Sequence, residues 1–184
     1  VGVALKLAMA VAGPEQEEAV LQEYADLAAI GTIADVMEMT GENRALVRLG
    51  LKQLERPRRV GLAALLREAG LEGKPLTSVS IGYTLAPRIN ASGRMGQAML
   101  AVDLLLTDDS GRAVRLAQTL CGLNRERQSI EMEIYQDCVR RLERQPQQGV
   151  AVLADEGWHQ GVVGIVASRL SEKLCMPCFM ICLD

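Results

Sequence analysis

Aromatic residues are scarce. They make up 3% of the 184 residues, with one Trp and one Phe, which excludes an extended platform of stacking rings such as single-strand-binding proteins use. Histidine occurs once, so Cys175-Met-Pro-Cys178, which has the spacing of a redox or zinc pair, lacks the partners of a tetrahedral site. The five cysteines stand at 121, 138, 175, 178 and 182. Odd in number and without the framework of a small secreted domain, they imply buried thiols and a reducing, cytoplasmic compartment. There is no surplus of positive charge. A net charge of −3 excludes a generally basic coat, so any contact with an anionic strand must come from local arginine clusters. Long apolar runs are missing too. Val1 to Val11 is apolar but too short to span a membrane and has no basic leader, so neither a signal peptide nor a membrane partner is expected. What remains, 49% hydrophobic and 23% charged, is globular composition.

The punctuation of the chain predicts its elements. Val1 to Val11 reads as a buried helix stopped by Gly13-Pro14, and Pro14 with Glu15, Glu17 and Glu18 opens the next one. Asp26 to Ile30 reads as a short apolar strand ending at Gly31. Asp35 then falls just past the strand's carboxyl end, where open α/β sheets collect ligands. Glu42 to Leu54 is amphipathic, Gly61 to Ala69 is a helix closed by Gly70, and Gln97 to Leu106 is another. From Gly111 to Gln145 there is no proline, and the apolar positions keep spacings of three, four or seven, which predicts one long helix. At ~1.5 Å per residue it would span about 50 Å, a strut between two modules. Strand, helix and strand follow at Val150 to Ala154, Val162 to Lys173 and Cys178 to Leu183, the last read as buried. The fold class expected is α/β.

Three segments carry chemistry. In Ala86-Pro-Arg88-Ile-Asn90-Ala-Ser-Gly93-Arg94-Met-Gly96, two guanidinium forks, an amide and two glycines make the parts of a phosphate-binding loop. The same residues also serve as helix caps and surface ion pairs. Asp35, in Gly31-Thr-Ile-Ala-Asp35, offers a hard oxygen ligand for a divalent cation, or alternatively caps a turn. Trp158-His159 precedes the helix start at Gly161 and Gly164. There Trp158 offers a stacking face and His159 a donor to phosphate, with Arg169 about two turns on. The alternative is a Trp that fills the core beside a hydrogen-bonding His.

In their order along the chain (Asp35, then Ala86 to Gly96, then Trp158) and at these separations the three segments, with Leu123-Asn-Arg-Glu-Arg-Gln128 between the second and third, resemble the RecJ family of single-strand-specific 5′→3′ DNA exonucleases in the DHH phosphoesterase superfamily. The resemblance implies two lobes joined by the long helix: part of a DHH catalytic domain over 1–109, the connecting helix over 110–146, and the start of a DHHA1 substrate-binding domain over 147–184, both lobes incomplete. It implies Asp35 as one ligand of a two-metal Mn²⁺ or Mg²⁺ site whose other ligands would precede Val1. It further implies Arg88, Asn90, Arg94, Trp158, His159 and Arg169 as contacts to single-stranded DNA. The chain would then be an internal piece of a longer enzyme, inactive alone. Val36-Met-Glu38-Met39 departs from the family's Val-Met-Pro-Leu by losing the proline and adding a carboxylate. Two other readings remain open: a DHH phosphodiesterase of short oligonucleotides or cyclic dinucleotides, and a non-catalytic nucleic-acid-binding module.

Overall fold

The computed structural model describes residues 1 to 183 as a run of helices followed by one short β-α-β unit. Helix α1 (Gly2–Ala12) ends at Gly13. Pro14 opens a 3-10 turn that runs into α2 (Glu17–Ala34), with Glu17 and Glu18 at the positive end of its dipole. The expectation that α1 is buried fails: Leu5 is its one buried residue, and Val3, Leu7 and Val11 face outward.

No strand runs from Asp26 to Ile30; those residues form the interior of α2. Ala25, Ala28, Ala29 and Ala34 favour helix. The turn is also enclosed on nearly every side, so its residues show no period by which a buried helix could be told from a strand. Small side chains let α3 (Gly41–Leu54) lie close against it. A Cβ on Gly50 would come 2.2 Å from the Ala25 carbonyl oxygen.

After α4 (Val60–Glu68), Thr77 and Ser80 form a reciprocal capping box. A continuous helical path then runs through α5 (Ser78–Ser80), a π turn (Ile81–Leu85) and α6 (Ala86–Arg94). The arginine/asparagine segment expected as a loop is therefore a helix. Pro87 has no N–H to donate and would crowd the carbonyl one turn back. The π turn, in which the Ala86 N–H reaches back to Ile81, widens the spiral where the proline enters. Two more helices, α7 (Met99–Leu106) and the 35-residue α8 (Ser110–Arg144), complete the helical part, with the Asp109 carboxylate accepting the Arg112 N–H at the start of α8.

Two apolar cores meet on α8. Its first half gives Ala113, Ala117, Leu120 and Leu123 to a core shared with α2 through α7. Its second half gives Ile134 and Cys138 to a core shared with the β-α-β unit, and Met95 packs against both. In that unit β1 (Ala151–Asp155) pairs in parallel with β2 (Cys178–Cys182), and α9 (Gln160–Leu174) lies between them in sequence and covers one face. The α/β expectation thus holds for the second unit, while the first is all helix. Strand β2 is not buried on both faces, since Phe179 and Ile181 point outward. Nor are all the thiols buried. Cys121 and Cys138 are, Cys178 and Cys182 are half-buried, and Cys175 is exposed at the left-handed end of α9. Among the described residues, no helix is long and apolar enough to cross a membrane.

Candidate functional site

Asp35 sits at the end of a helix, not of a strand. The Val36 and Met37 N–H groups turn back onto the carbonyls of Ile33 and Thr32, at 3.1 and 3.2 Å, which satisfies the last carbonyls of α2 in a Schellman arrangement. This places Val36 at φ 53°, a left-handed conformation that costs a β-branched residue on the order of 1–3 kcal/mol. The turn leaves the Asp35 carboxylate exposed on a cavity of about 470 Å³, with Lys6, Thr32, Glu42 and Asn43 around it. Glu42 is already paired with Lys6. Asp35 suits a hard cation as one oxygen ligand, but one carboxylate is not a metal centre. Among the described residues no three His, Cys, Asp or Glu side chains come together as a ligand set.

Arg88, Asn90 and Arg94 all lie on α6, with different environments. Arg88 is half-buried: its Nε donates to the Cys121 sulfur at 3.2 Å and its Nη1 donates to the Thr84 carbonyl within the π turn. Much of its fork is therefore spent inside the protein. Asn90 is exposed. Arg94 is exposed and donates through Nη1 to the Gly161 carbonyl at 3.2 Å, joining the end of α6 to the start of α9. The approach is close because residue 161 has no side chain; a Cβ there would lie 2.0 Å from the Arg94 carbonyl oxygen.

Across this seam His159 caps α9. Its Nδ1 accepts the Gly161 N–H at 3.1 Å, so in the neutral ring the proton sits on Nε2, which is left to donate. Trp158 does not offer the open face expected of it. It is 8% exposed, belongs to the second core, and has the Arg141 guanidinium 5.3 Å from its ring centre. Its size and apolar surface win over any stacking role, because the small β-α-β unit has few other large groups with which to fill its core. Arg169 lies 4.1 Å from the Tyr135 ring centre and 3.5 Å from Glu131, bracing α9 against α8.

The structure thus brings Arg94 and His159 together, keeps Arg88 on the same helix as Arg94, and places Asp35 in a cavity whose lining includes none of them. Sequence reading missed Cys121 as the acceptor for Arg88 and Arg141 as the cover of Trp158. Both lie on α8, and no local pattern reports which turn of a long helix meets a distant side chain.

No protein-family model matches the chain. Relatives do. The single-stranded-DNA-specific exonuclease RecJ of Bacillus subtilis is 41% identical over 185 residues, covering all of this chain and 23% of the relative. RecJ of Thermus thermophilus is 43% identical over 159 residues, 86% of this chain and again 23% of the relative. A crystal structure of RecJ from Thermus thermophilus in complex with Mg²⁺ superposes with a TM-score of 0.79 at 43% identity, over 88% of this chain and 25% of that one. One of exonuclease RecJ bound to manganese gives 0.77 at 43% identity, over 88% of this chain and 40% of that one. The chain spans about a quarter of the length of these curated relatives.

Proposed function

We propose, from a chain homologous along its whole length to part of the RecJ single-stranded-DNA-specific exonucleases, that it belongs to a metal-dependent enzyme hydrolysing phosphodiester bonds of single-stranded DNA from the 5′ end. In this reading residues 1–109 are the later part of the catalytic lobe, 110–146 connect, and 147–184 begin the substrate-binding lobe. The two apolar cores strung on α8 support such a division.

The observation that carries the reading is the seam between α6 and α9. Arg94 and His159 both bond Gly161 where α6 meets α9, the His159 Nε2 remains a donor, Asn90 is exposed one turn before Arg94 on α6, and the N-terminal end of the α9 dipole adds positive potential. A strand lying there is held by its phosphates, without regard to base. Asp35 would contribute one carboxylate to the metal site, and since no three such ligands gather among the described residues, the others would come from elsewhere in the enzyme. When bound, Mn²⁺ or Mg²⁺ supplies activated water and charge neutralisation on the phosphoryl oxygens. Trp158 leaves the contact set, because it is buried in the second core, whereas Arg169 braces α9 against α8 and keeps part of its side chain exposed for a phosphate.

The test is Asp35→Ala in the full-length natural protein with 5′-phosphorylated single strands and Mn²⁺. Cleavage is expected to fall by at least about a hundredfold, on the order of 3 kcal/mol of barrier, while strand binding stays within a few-fold. Wild-type turnover would remove Asp35 from the metal site. Strand binding without cleavage by the unmodified protein would favour the binding-only module.

A further inference from the structure

We propose that α3 and the turn after it form a second anionic-strand track, separate from the α6/α9 seam, that grips the sugar-phosphate backbone of a nucleic-acid strand leading to or from the Asp35 cavity. Six of the sixteen residues from Arg44 to Arg59 are Lys or Arg and one is acidic, in a chain whose net charge is −3. Arg44, Arg48, Lys52 and Arg56 recur at every fourth position, all exposed, with Arg58 just beyond. Such a row rises about 6 Å per step and runs inclined by ~26° to the helix axis.

The row borders two cavities. One of about 690 Å³ is bounded by Arg44, Arg48 and Lys52, together with Glu55. The other, about 450 Å³, is lined by Lys52, Arg56, Arg58 and Arg59. Its two carboxylates, Glu23 and Asp26, are both paired with Arg59. Among the described residues Arg44, Arg48, Lys52, Arg56 and Arg58 make no ion pair and no side-chain hydrogen bond, whereas ten such ion pairs occur elsewhere.

Folding alone does not explain the row. Cations near the last turn of α3 complement its dipole, but Arg44 lies in the first turns, where the dipole opposes it. Like charges four apart also destabilise a helix, here twice over within α3, at Arg44/Arg48 and Arg48/Lys52. An external polyanion removes that repulsion. Its chemistry is that of a strand and not of a protein surface: none of the exposed large hydrophobic residues falls between 41 and 60, so there is no apolar anchor of the kind protein interfaces are built on. The row starts beside Asn43, which lines the Asp35 cavity. The choice of nucleic acid among polyanions rests on the function proposed above.

The experiment uses the full-length natural protein without divalent metal and a dT strand of about 30 nucleotides with a 5′ hydroxyl, measuring binding at several salt concentrations. Arg48→Gln/Lys52→Gln/Arg56→Gln is expected to lower the slope of log K against log salt by about 2, at ~0.7 per phosphate contact on single strands. Each single substitution should lower it by about a third of that, which keeps the result readable if the triple variant folds poorly. Arg67→Gln/Arg112→Gln/Arg140→Gln, which removes the same charge from ion-paired surface sites, should leave the slope unmoved. An unchanged slope in the first set, or equal flattening in the second, overturns the track. So does a first set that loses binding of a poly-glutamate peptide and keeps the strand, which would assign the row to an acidic protein. Slope loss in the first set alongside wild-type cleavage by Asp35→Ala keeps the track and rejects the metal assignment.

Discussion

Two arginines on one helix carry opposite expectations. Arg88 is committed inward to the Cys121 sulfur and the Thr84 carbonyl, so Arg88→Gln strands partly buried acceptors and should cost about 1–3 kcal/mol of stability. Arg94 spends one donor on Gly161 and is otherwise in solvent. Its replacement by Gln should leave the melting temperature nearly unchanged and weaken single-strand binding. Thermal melts beside binding titrations on the full-length natural protein separate the two, and a stability loss at Arg94 with unchanged binding would make it a structural brace. Sequence reading could select these residues, because guanidinium groups near glycine are a compositional signal. It could not rank them, since the rank depends on a sulfur 33 positions away.

At the scale of elements, the contact between α6 and α9 depends on one missing methyl group. Gly161→Ala would push a carbon against the Arg94 carbonyl and force the helices apart, with an expected loss of about 1–3 kcal/mol. Gly164, one turn on, has nothing within 4 Å of the place a Cβ would take, so Gly164→Ala should be neutral or stabilise by up to ~1 kcal/mol through helix propensity. Denaturant unfolding of both variants checks this, and equal effects would contradict the close approach. In sequence the two glycines look alike. The α6 segment was misleading for a related reason: Pro87 and Gly93 mark a loop by local rules, but a π turn lets the chain pass Pro87 without leaving the helix.

Across the whole molecule, the second core is fastened to α8 by charge as well as by packing. The Arg141 guanidinium and the Gly157 N–H hold the Asp155 carboxyl below its ordinary value of 3.8. A carboxyl depressed in the folded state adds stability that is present above that ordinary value and lost as pH falls through the lowered one. Asp155→Asn should therefore be less stable than the parent at neutral pH, with the difference closing as pH drops below about 4. A series of melts from neutral pH down to about pH 2 measures it, and a gap that does not close would assign the loss to packing. Burial, meanwhile, pushes the Cys138 thiol up to about 11, in keeping with an inert core group.

The sequence by itself determined the elements whose signals are local. The long helix, with its unbroken period and no proline, and the order β1, α9, β2 follow from residues near one another in the chain, as does the amphipathic α3. It also determined kinship, because whole motifs in order are specific where single residues are not. Only the tertiary structure decided whether Asp26 to Ile30 was strand or helix, since a segment enclosed on all sides has no polar face to reveal its period. It decided as well that Trp158 fills a core, that Arg88 points inward while Arg94 joins α6 to α9, and that among the described residues the cations of α3 make no ion pair. Each of these depends on what a distant segment brings within a few ångströms, and that distance is not written in any local pattern.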